Sequence, residues 1–142
     1  MISVTITAST TRFSRLVPTL QRALRTALRG VTKTPVHVGF FLISDAEMRR
    51  INRRTRGKDR ATNVLSFEET PRAVPHPELP KGTRAQGEIF LAPDYIARKK
   101  EDPVALAIHG LLHLFGYTHA KARDRMRMER KERALLAAVR QR

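Results

Sequence analysis

The chain has 142 residues, of which 28 are Lys or Arg and 13 are Asp or Glu, so its formal net charge is +15 with histidine neutral. It has no cysteine, which excludes a disulfide framework, a thiolate nucleophile and a cysteine-ligated metal. A hydrophobic fraction of 41% argues against wholesale disorder. The length predicts one domain over residues 1–142. The charge predicts a polyanionic partner, with nucleic acid favoured over an anionic membrane surface.

Neither targeting nor membrane insertion is predicted. The N-terminus lacks the charged and apolar regions of a signal peptide, and no apolar run approaches the ~18 residues that a membrane span needs. We therefore expect a soluble, cytoplasmic protein.

The basic residues concentrate in two blocks. Residues 49–60 hold seven cations with one acid, Asp59, and residues 121–142 hold nine cations with three acids. Seven neighbouring cations repel one another, so the first block costs stability unless an anion binds there. The second block has the mixed signs of a solvated helix face, which is the alternative to a role in binding.

The first half of the chain predicts two strands and a helix. Residues 2–7 alternate apolar and polar side chains, as in a half-buried strand. Residues 15–29 carry leucines at helical spacing, and Gly30 is placed to end that helix. Residues 36–43 are nearly all apolar, which is typical of a central strand buried on both faces.

A capping box and two further strands follow. The S-x-x-E sequence at 44–47 predicts a helix start. In this helix Met48 and Ile51 should face inward and the arginines outward. Residues 62–67 and 88–91 have the character of strands.

The last third is predicted to be helical. A proline-rich loop covers residues 70–86, and a short helix covers 93–100. Asp102 is a predicted N-cap with Pro103 at the first helical position, and Gly116 should end that helix after about residue 115. A final helix covers about 121–140, with Met128, Leu135 and Val139 available for packing. Strands mixed with helices indicate an α/β or α+β domain with a small mixed sheet.

Three histidines form the strongest chemical signal. His109 and His113 are four residues apart, so on a helix they lie on one face, one turn apart. His119 would lie about 15 Å further along a straight helix. If the chain turns back at Gly116, His119 can join the pair. Three imidazoles with an open fourth position describe a catalytic zinc site.

The surroundings of the histidines leave an alternative open. Apolar residues surround the whole predicted helix, so it should be mostly buried, and buried histidines need polar partners. They can therefore also be interpreted as hydrogen-bonded core histidines. His37, on a strand, is expected to be a core or partner residue, and His76 an exposed loop residue.

The same histidine spacing with Glu after the first His marks metzincin-type zinc proteases, where that Glu is the general base. Here the position is Gly110, which weakens a peptidase hypothesis. Zinc lowers the pKa of bound water towards ~7 and can polarise a phosphoryl oxygen. Because arginine matches phosphate geometry, the site combined with the first basic block suits a phosphodiester substrate.

Two motifs resemble those of the YbeY family, the bacterial endoribonucleases of ribosomal RNA maturation. Residues 109–119, HGLLHLFGYTH, are similar to the family's HGxLHLxGYDH. Residues 56–59, RGKD, precede TNVLSF at 62–67, as in a second family block. A weaker match is QGEI at 86–89, which resembles the family's LGDI. The order and spacing fit from about residue 2 to 140.

The resemblance implies an α+β fold with a small mixed four-stranded sheet, about five helices and a metalloprotease-like zinc helix. It implies one Zn²⁺ per chain, held by His109, His113 and His119, and it makes Arg56 and His109 the candidate catalytic residues. Further RNA contacts are assigned to the neighbouring cations Arg53, Arg54, Lys58 and Arg60. The implied substrate is single-stranded ribosomal RNA, chiefly near the 3′ end of the small-subunit RNA. The implied partners are the small ribosomal subunit and its assembly factors.

Two departures from the family pattern concern acidic positions. Thr118 stands where the family usually has Asp, and loss of a group that orients a ligand can cost roughly 10–100-fold in metal affinity. Glu88 replaces the usual Asp of the strand motif. Within the second block, Asn63 and Ser66 either bond the backbone at a strand start or act directly.

Three hypotheses remain at this point. The leading one is a zinc-dependent endoribonuclease whose two basic blocks form two arms of an RNA groove around the metal. The second is a non-catalytic RNA-binding ribosome-assembly factor with a structural metal. The third is a zinc peptidase, against which Gly110 counts.

Overall fold

The computed structural model describes residues 2–69 and 79–141 of the chain. It contains four strands, β1 to β4, and five helices, α1 to α5, together with a short 3-10 helix at Thr11–Leu16. The strands are β1 Ile2–Ala8, β2 Val36–Leu42, β3 Val64–Glu68 and β4 Arg84–Leu91. The helices are α1 Val17–Arg29, α2 Asp45–Arg56, α3 Pro93–Arg98, α4 Pro103–Leu114 and α5 Ala122–Arg140.

The strands form one mixed sheet in the order β1-β2-β4-β3. Strands β1, β2 and β4 are parallel, and β3 runs antiparallel to β4. Strand β2 is an inner strand, as its nearly continuous apolar sequence predicts. The α+β class, the four-stranded mixed sheet and the five helices are confirmed.

Strand β4 is longer than predicted, so the predicted loop 70–86 ends too late. Residues 84–87 pair with β2, and the register shifts between His37 and Val38 because Gln86 is an extra residue in β4. This bulge interrupts the alternation that sequence analysis depends on. Gly87 has a φ of 155° and its backbone lies against the Phe67 carbonyl, which leaves no room for a side chain.

The main core lies between one face of the sheet and three helices. Helix α1 packs on β1, α4 packs on β3 and β4, and α5 packs across α1 and α4. The predicted leucine stripe of α1 is buried in this core through Leu20, Leu24 and Leu28. Burial of the apolar face of each helix is what holds these layers together.

Helix α2 packs on the opposite face of the sheet. Met48 is fully buried there with Ile43 and Ala92. The predicted capping box is present, because the Ser44 hydroxyl accepts from the Glu47 amide and the Glu47 carboxylate accepts from the Ser44 amide. The helix therefore starts at a fixed point and carries its arginines outward towards the next loop.

Two further observations concern the chain as described. Across residues 2–69 and 79–141, no helix combines the length and apolar character that a membrane span requires. Residues 70–78, which include His76 and most of the predicted proline loop, lie outside the described residues.

Candidate metal centre and its cleft

The three predicted ligands come together at the end of α4. His109 and His113 project from successive turns of the helix, and His119 follows the turn after it. Each histidine offers one nitrogen, and these three atoms all lie within 4.8 Å of one another. Gly116, at a φ of 90°, makes the turn that a residue with a side chain would rarely adopt. The cluster can hold a metal ion, as the spacing predicts.

Two of the imidazoles have their orientation fixed by partners at Nδ1. His113 Nδ1 lies 2.9 Å from the carbonyl oxygen of Tyr117, and His109 Nδ1 lies 3.1 Å from the Glu132 carboxylate. A carbonyl or an ionised carboxylate can only accept a hydrogen bond. Nδ1 is therefore the donor in both contacts, and a neutral ring oriented in this way has its lone pair on Nε2.

The two Nε2 atoms face each other at 3.1 Å. Two lone pairs at that distance repel each other unless a proton or a cation lies between them. Two nitrogens on one tetrahedral zinc ion, at bond lengths of 2.0–2.1 Å, would be separated by about 3.3 Å. The donor set therefore fits a metal ion that binds imidazole.

Burial reinforces this arrangement at His113. It lowers the pKa of the His113 imidazole, and the neighbouring His109 ring lowers the pKa further. The neutral form is therefore favoured, and it is the form that coordinates metal.

Helix α4 lies unusually close to β3 beside the ligands. The Ser66 hydroxyl donates to the carbonyl of Gly110 at 3.1 Å. A Cβ on Gly110 would come within 2.9 Å of Ser66 Oγ and 3.1 Å of Ile89 Cγ2. A side chain at this position would have to displace these neighbours. Glycine also cannot supply the carboxylate base that zinc proteases place next to the first His.

A cleft of about 750 Å³ opens beside the histidines. Its walls are α4, β3, the end of α2 and the loop that joins α2 to β3. The first basic block contributes three cations to the wall, Arg56, Lys58 and Arg60. Helix α4, which we call the metal helix, contributes His109 and His113. The arrangement places three cationic side chains and two histidines of the candidate metal cluster around one space.

Arg56 is held at the end of α2 by two contacts. Its guanidinium donates to the Ser66 carbonyl at 3.2 Å and lies 5.4 Å from the centre of the Phe67 ring. The loop that follows is held by Asn52, the one polar side chain among the buried residues described, which donates to the Arg60 carbonyl at 2.9 Å. Strand β3 therefore contacts both Arg56, through Ser66 and Phe67, and helix α4, through the Ser66 hydroxyl.

Only two of the other four predicted RNA contacts lie at the cleft. Lys58 and Arg60 line the cleft, whereas Arg53 and Arg54 do not appear among its lining residues. Arg53 lies 3.9 Å from Asp59, which also pairs with Arg49 at 2.8 Å. The arginine contacts lower the pKa of Asp59.

The second basic block does not form the second arm of the cleft. None of the described basic residues of 121–141 lines it. Arg127 lies over the Tyr117 ring, and Lys131 donates to the Gly30 carbonyl. The reason is geometric, because α5 packs across α1 and α4 rather than beside β3.

Three of the remaining predicted residues form hydrogen bonds with the backbone or a neighbouring strand, and one of them, Asn63, also lines the cleft. Asn63 accepts from the Val64 amide at 2.7 Å, which supports the strand-start interpretation. Thr118 accepts from the Ala120 amide within the ligand loop. Glu88 shares the face of β4 that carries Phe90, whereas Ile89 faces α4. His37 bonds Ser3 in the neighbouring strand, as expected for a partner residue.

Sequence reasoning missed two acidic residues near the site. Glu132 contacts His109 of the candidate metal cluster, and Glu68 lines the cleft. In the sequence, Glu132 is one of three acidic residues within the second basic block. The signal that identifies it is its spacing, four residues after Met128 and three before Leu135, which places it on the packed side of α5.

Together the fold and the site define a small α+β protein with a three-histidine cluster that could hold a metal ion, beside a cleft lined by three cations. The chain belongs to the Endoribonuclease YbeY family, whose sequence profile matches residues 3–140. It is 36% identical over 131 residues to the Endoribonuclease YbeY of Rhodopseudomonas palustris, covering 85% of this chain and 67% of that protein. It is 39% identical over 107 residues to that of Bordetella petrii, covering 70% of this chain and 64% of that protein.

A further relative is matched over a smaller share of its own length, and a solved structure is similar in fold. The Endoribonuclease YbeY of Myxococcus xanthus is 36% identical over 135 residues, covering 87% of this chain and 42% of that protein. The chain thus spans 42% to 67% of the length of these three relatives. The solution structure of the Thermotoga maritima protein TM1509 superposes with a TM-score of 0.60 at 23% identity, over 96% of this chain and 88% of that one. This superposition supports the fold.

Proposed function

We propose that the chain is a metal-dependent endoribonuclease, a hydrolase of RNA phosphodiester bonds that acts in ribosomal RNA maturation. One observation carries the proposal. His109 and His113 of the three-histidine cluster line the same cleft as the three cations Arg56, Lys58 and Arg60. A metal site next to guanidinium groups suits a substrate whose reacting group is a phosphate. The name of the curated relatives supports the same activity.

Zinc is the proposed metal, one ion per chain, held by His109, His113 and His119. Three imidazole nitrogens are a donor set that zinc accepts readily, with a fourth position left for water or substrate. When bound, the ion would supply a Lewis acid and a water of lowered pKa at the base of the cleft.

The chain's own residues would bind and orient the RNA. Arg56 is the proposed catalytic arginine, whose fork would contact the reacting phosphate and stabilise charge that develops there. Its contacts with Ser66 and Phe67 hold the guanidinium at the cleft wall before substrate arrives. Lys58 and Arg60 would bind neighbouring phosphates and set the register of the strand.

The proposed substrate is single-stranded RNA, chiefly near the 3′ end of the small-subunit ribosomal RNA. The family resemblance supports this choice, and a single strand can bend its backbone to bring a phosphate to the ligands. Small ribosomal subunits and their assembly factors are the proposed partners, which would place the protein in the cytoplasm. We also propose that residues 1–142 act as one domain, since the two core clusters flank one sheet.

A cleavage assay tests the proposal. The purified chain is incubated with a labelled single-stranded RNA covering the small-subunit 3′ region, and with the same RNA annealed to its complement. Cleavage of the single strand that stops with chelator and returns with Zn²⁺ is expected. Tight RNA binding without metal-dependent cleavage would instead favour the non-catalytic assembly factor, and cleavage of a peptide substrate would favour the peptidase.

A further inference from the structure

Helix α5 brings one carboxylate to the outer side of the metal centre. Glu132 Oε1 lies 3.1 Å from His109 Nδ1, and the two side chains are 22% and 28% exposed. The contact joins residues that are 23 positions apart. It is therefore a tertiary contact made by the packing of α5 against α4.

The packing of α5 leaves Glu132 little freedom to lie elsewhere. Met128 is fully buried and Leu135 is 4% exposed, and Glu132 lies on the same side of the helix between them. The neighbouring Lys131 donates to the Gly30 carbonyl at 2.8 Å, which is a further contact between α5 and the end of α1. A carboxylate on the packed side of a helix is costly unless it has a partner, and His109 is that partner.

We propose that Glu132 is a positioning residue for the metal centre, which fixes the ring and the tautomer of His109 so that Nε2 faces the ion. The proposal rests on the metal-binding part of the proposed function. The carboxylate touches Nδ1, on the opposite side of the ring from the Nε2 atom that faces His113. It acts through the histidine and does not take a ligand position itself.

The Nδ1 atoms of His109 and His113 are therefore hydrogen-bonded by different parts of the chain. The turn at Gly116 supplies the Tyr117 carbonyl for His113, so that support is local in sequence. His109 depends on a separate helix. A carboxylate that accepts from the outer nitrogen of a ligating histidine raises the basicity of the ring and orients it, and loss of such a partner typically costs 10–100-fold in metal affinity.

Metal affinity provides the first test. The Zn²⁺ dissociation constant is measured by competition with a chromogenic chelator for the wild type, Glu132→Ala and Glu132→Gln. We expect about 10–100-fold weaker binding for Glu132→Ala. Glu132→Gln should lose less, because its amide oxygen still accepts from Nδ1 but carries no charge. Glu129→Gln is the matched control, since this exposed carboxylate lies on the same helix and its removal changes the net charge equally.

Nitrogen NMR of the imidazole rings in the metal-free protein provides the second test, and its wild-type measurement does not depend on the folding of a variant. The wild type should show His109 with the proton on Nδ1, and Glu132→Ala should show a mixture of tautomers. A wild-type His109 with its proton on Nε2 would overturn the proposal. So would a folded Glu132→Ala that binds Zn²⁺ as tightly as the wild type. If the zinc and NMR results hold but the wild type cleaves no RNA, the proposed function fails and this inference stands.

Discussion

Ser66 in β3 donates its hydroxyl to the carbonyl of Gly110 in the middle of α4, at 3.1 Å. The contact lies between the first and second metal ligands in sequence, and it pins the metal helix to the strand that also holds Arg56. Because Gly110 has no side chain, the helix can approach the strand this closely. Gly110 cannot act as the base of a zinc protease. Because it has no side chain, it also lets the histidines of α4 lie near Arg56.

Gly110→Ala should destabilise the protein although alanine favours helix. The new methyl group would crowd Ser66 Oγ and Ile89 Cγ2. Overpacking typically costs 1–3 kcal/mol, and the better helix propensity of alanine returns about 1 kcal/mol. We expect a net loss of about 1 kcal/mol, seen as a melting temperature lower by about 3 °C.

The same substitution in a Ser66→Ala background controls for the cause. Removal of the hydroxyl relieves the nearest contact, so the second substitution should cost less there than in the wild type. Strict additivity of the two melting-temperature shifts would show that Ser66 does not limit the approach of the helix.

Arg56→Ala should slow RNA cleavage by about 100-fold while the bound metal stays at the wild-type level. The estimate follows the cost of removing one preorganised donor from a developing negative charge. Arg56→Lys should recover only part of the rate, because lysine keeps the charge but loses the planar fork. The measurement is single-turnover cleavage together with metal content.

Arg50→Ala is the matched control for Arg56, because Arg50 is exposed on the same helix and does not line the cleft. It should cleave at nearly the wild-type rate. Equal losses for the two variants would mean that net charge, rather than the position of Arg56, sets the rate.

Lys58 and Arg60 should contribute to the salt dependence of RNA affinity. For a single strand, each phosphate contact adds about 0.7 to the slope of log affinity against log salt. The double variant Lys58→Gln and Arg60→Gln should therefore lower the slope by about 1.4, measured by fluorescence anisotropy. The pair Arg53→Gln and Arg54→Gln removes the same charge outside the cleft and should change the slope less. A larger change for the second pair would place the RNA on the outer face of α2.

The capping box of α2 should make stability depend on pH. The Ser44 backbone amide, donating to the Glu47 carboxylate, lowers the pKa of Glu47 below its usual value of 4.5. The ionised carboxylate therefore stabilises the folded state above pH 4.5, and this contribution disappears as the pH falls through the lowered pKa.

Two variants measure this cap. Ser44→Ala should cost about 1 kcal/mol at neutral pH. The difference in denaturant midpoint between wild type and Glu47→Gln should shrink between neutral pH and pH 3. A difference that stays constant over this range would mean that the Glu47 charge does not support the helix start.

How much of the site was predictable depends on whether its parts are local in sequence. The ligands His109 and His113, the turn at Gly116 and the capping box at Ser44 follow from spacing within one or two helical turns, and the structure brings them together as predicted. The bulge at Gln86 and the partner Glu132 depend on how distant segments pack. Periodicity places Glu132 on the packed side of α5, but it does not say which residue of another element Glu132 contacts.

The distribution of charge shows the same limit. The sequence places two basic blocks near the histidine motif in the chain, but only Arg56, Lys58 and Arg60 of the first block line the cleft. The described residues of the second block lie on α5 or next to its ends, and α5 packs across α1 and α4 rather than on β3. Proximity in sequence to a ligand is therefore a poor guide to which cations share its cleft.

The most direct test of the account compares metal content and RNA cleavage in the wild type and His113→Ala, purified in parallel. His37→Gln is the control, because His37 is a histidine of β2 outside the cluster. The account predicts about one bound zinc and cleavage of single-stranded RNA for the wild type and the control, with both lost in His113→Ala. Cleavage that persists in His113→Ala would contradict a catalytic metal centre at these histidines.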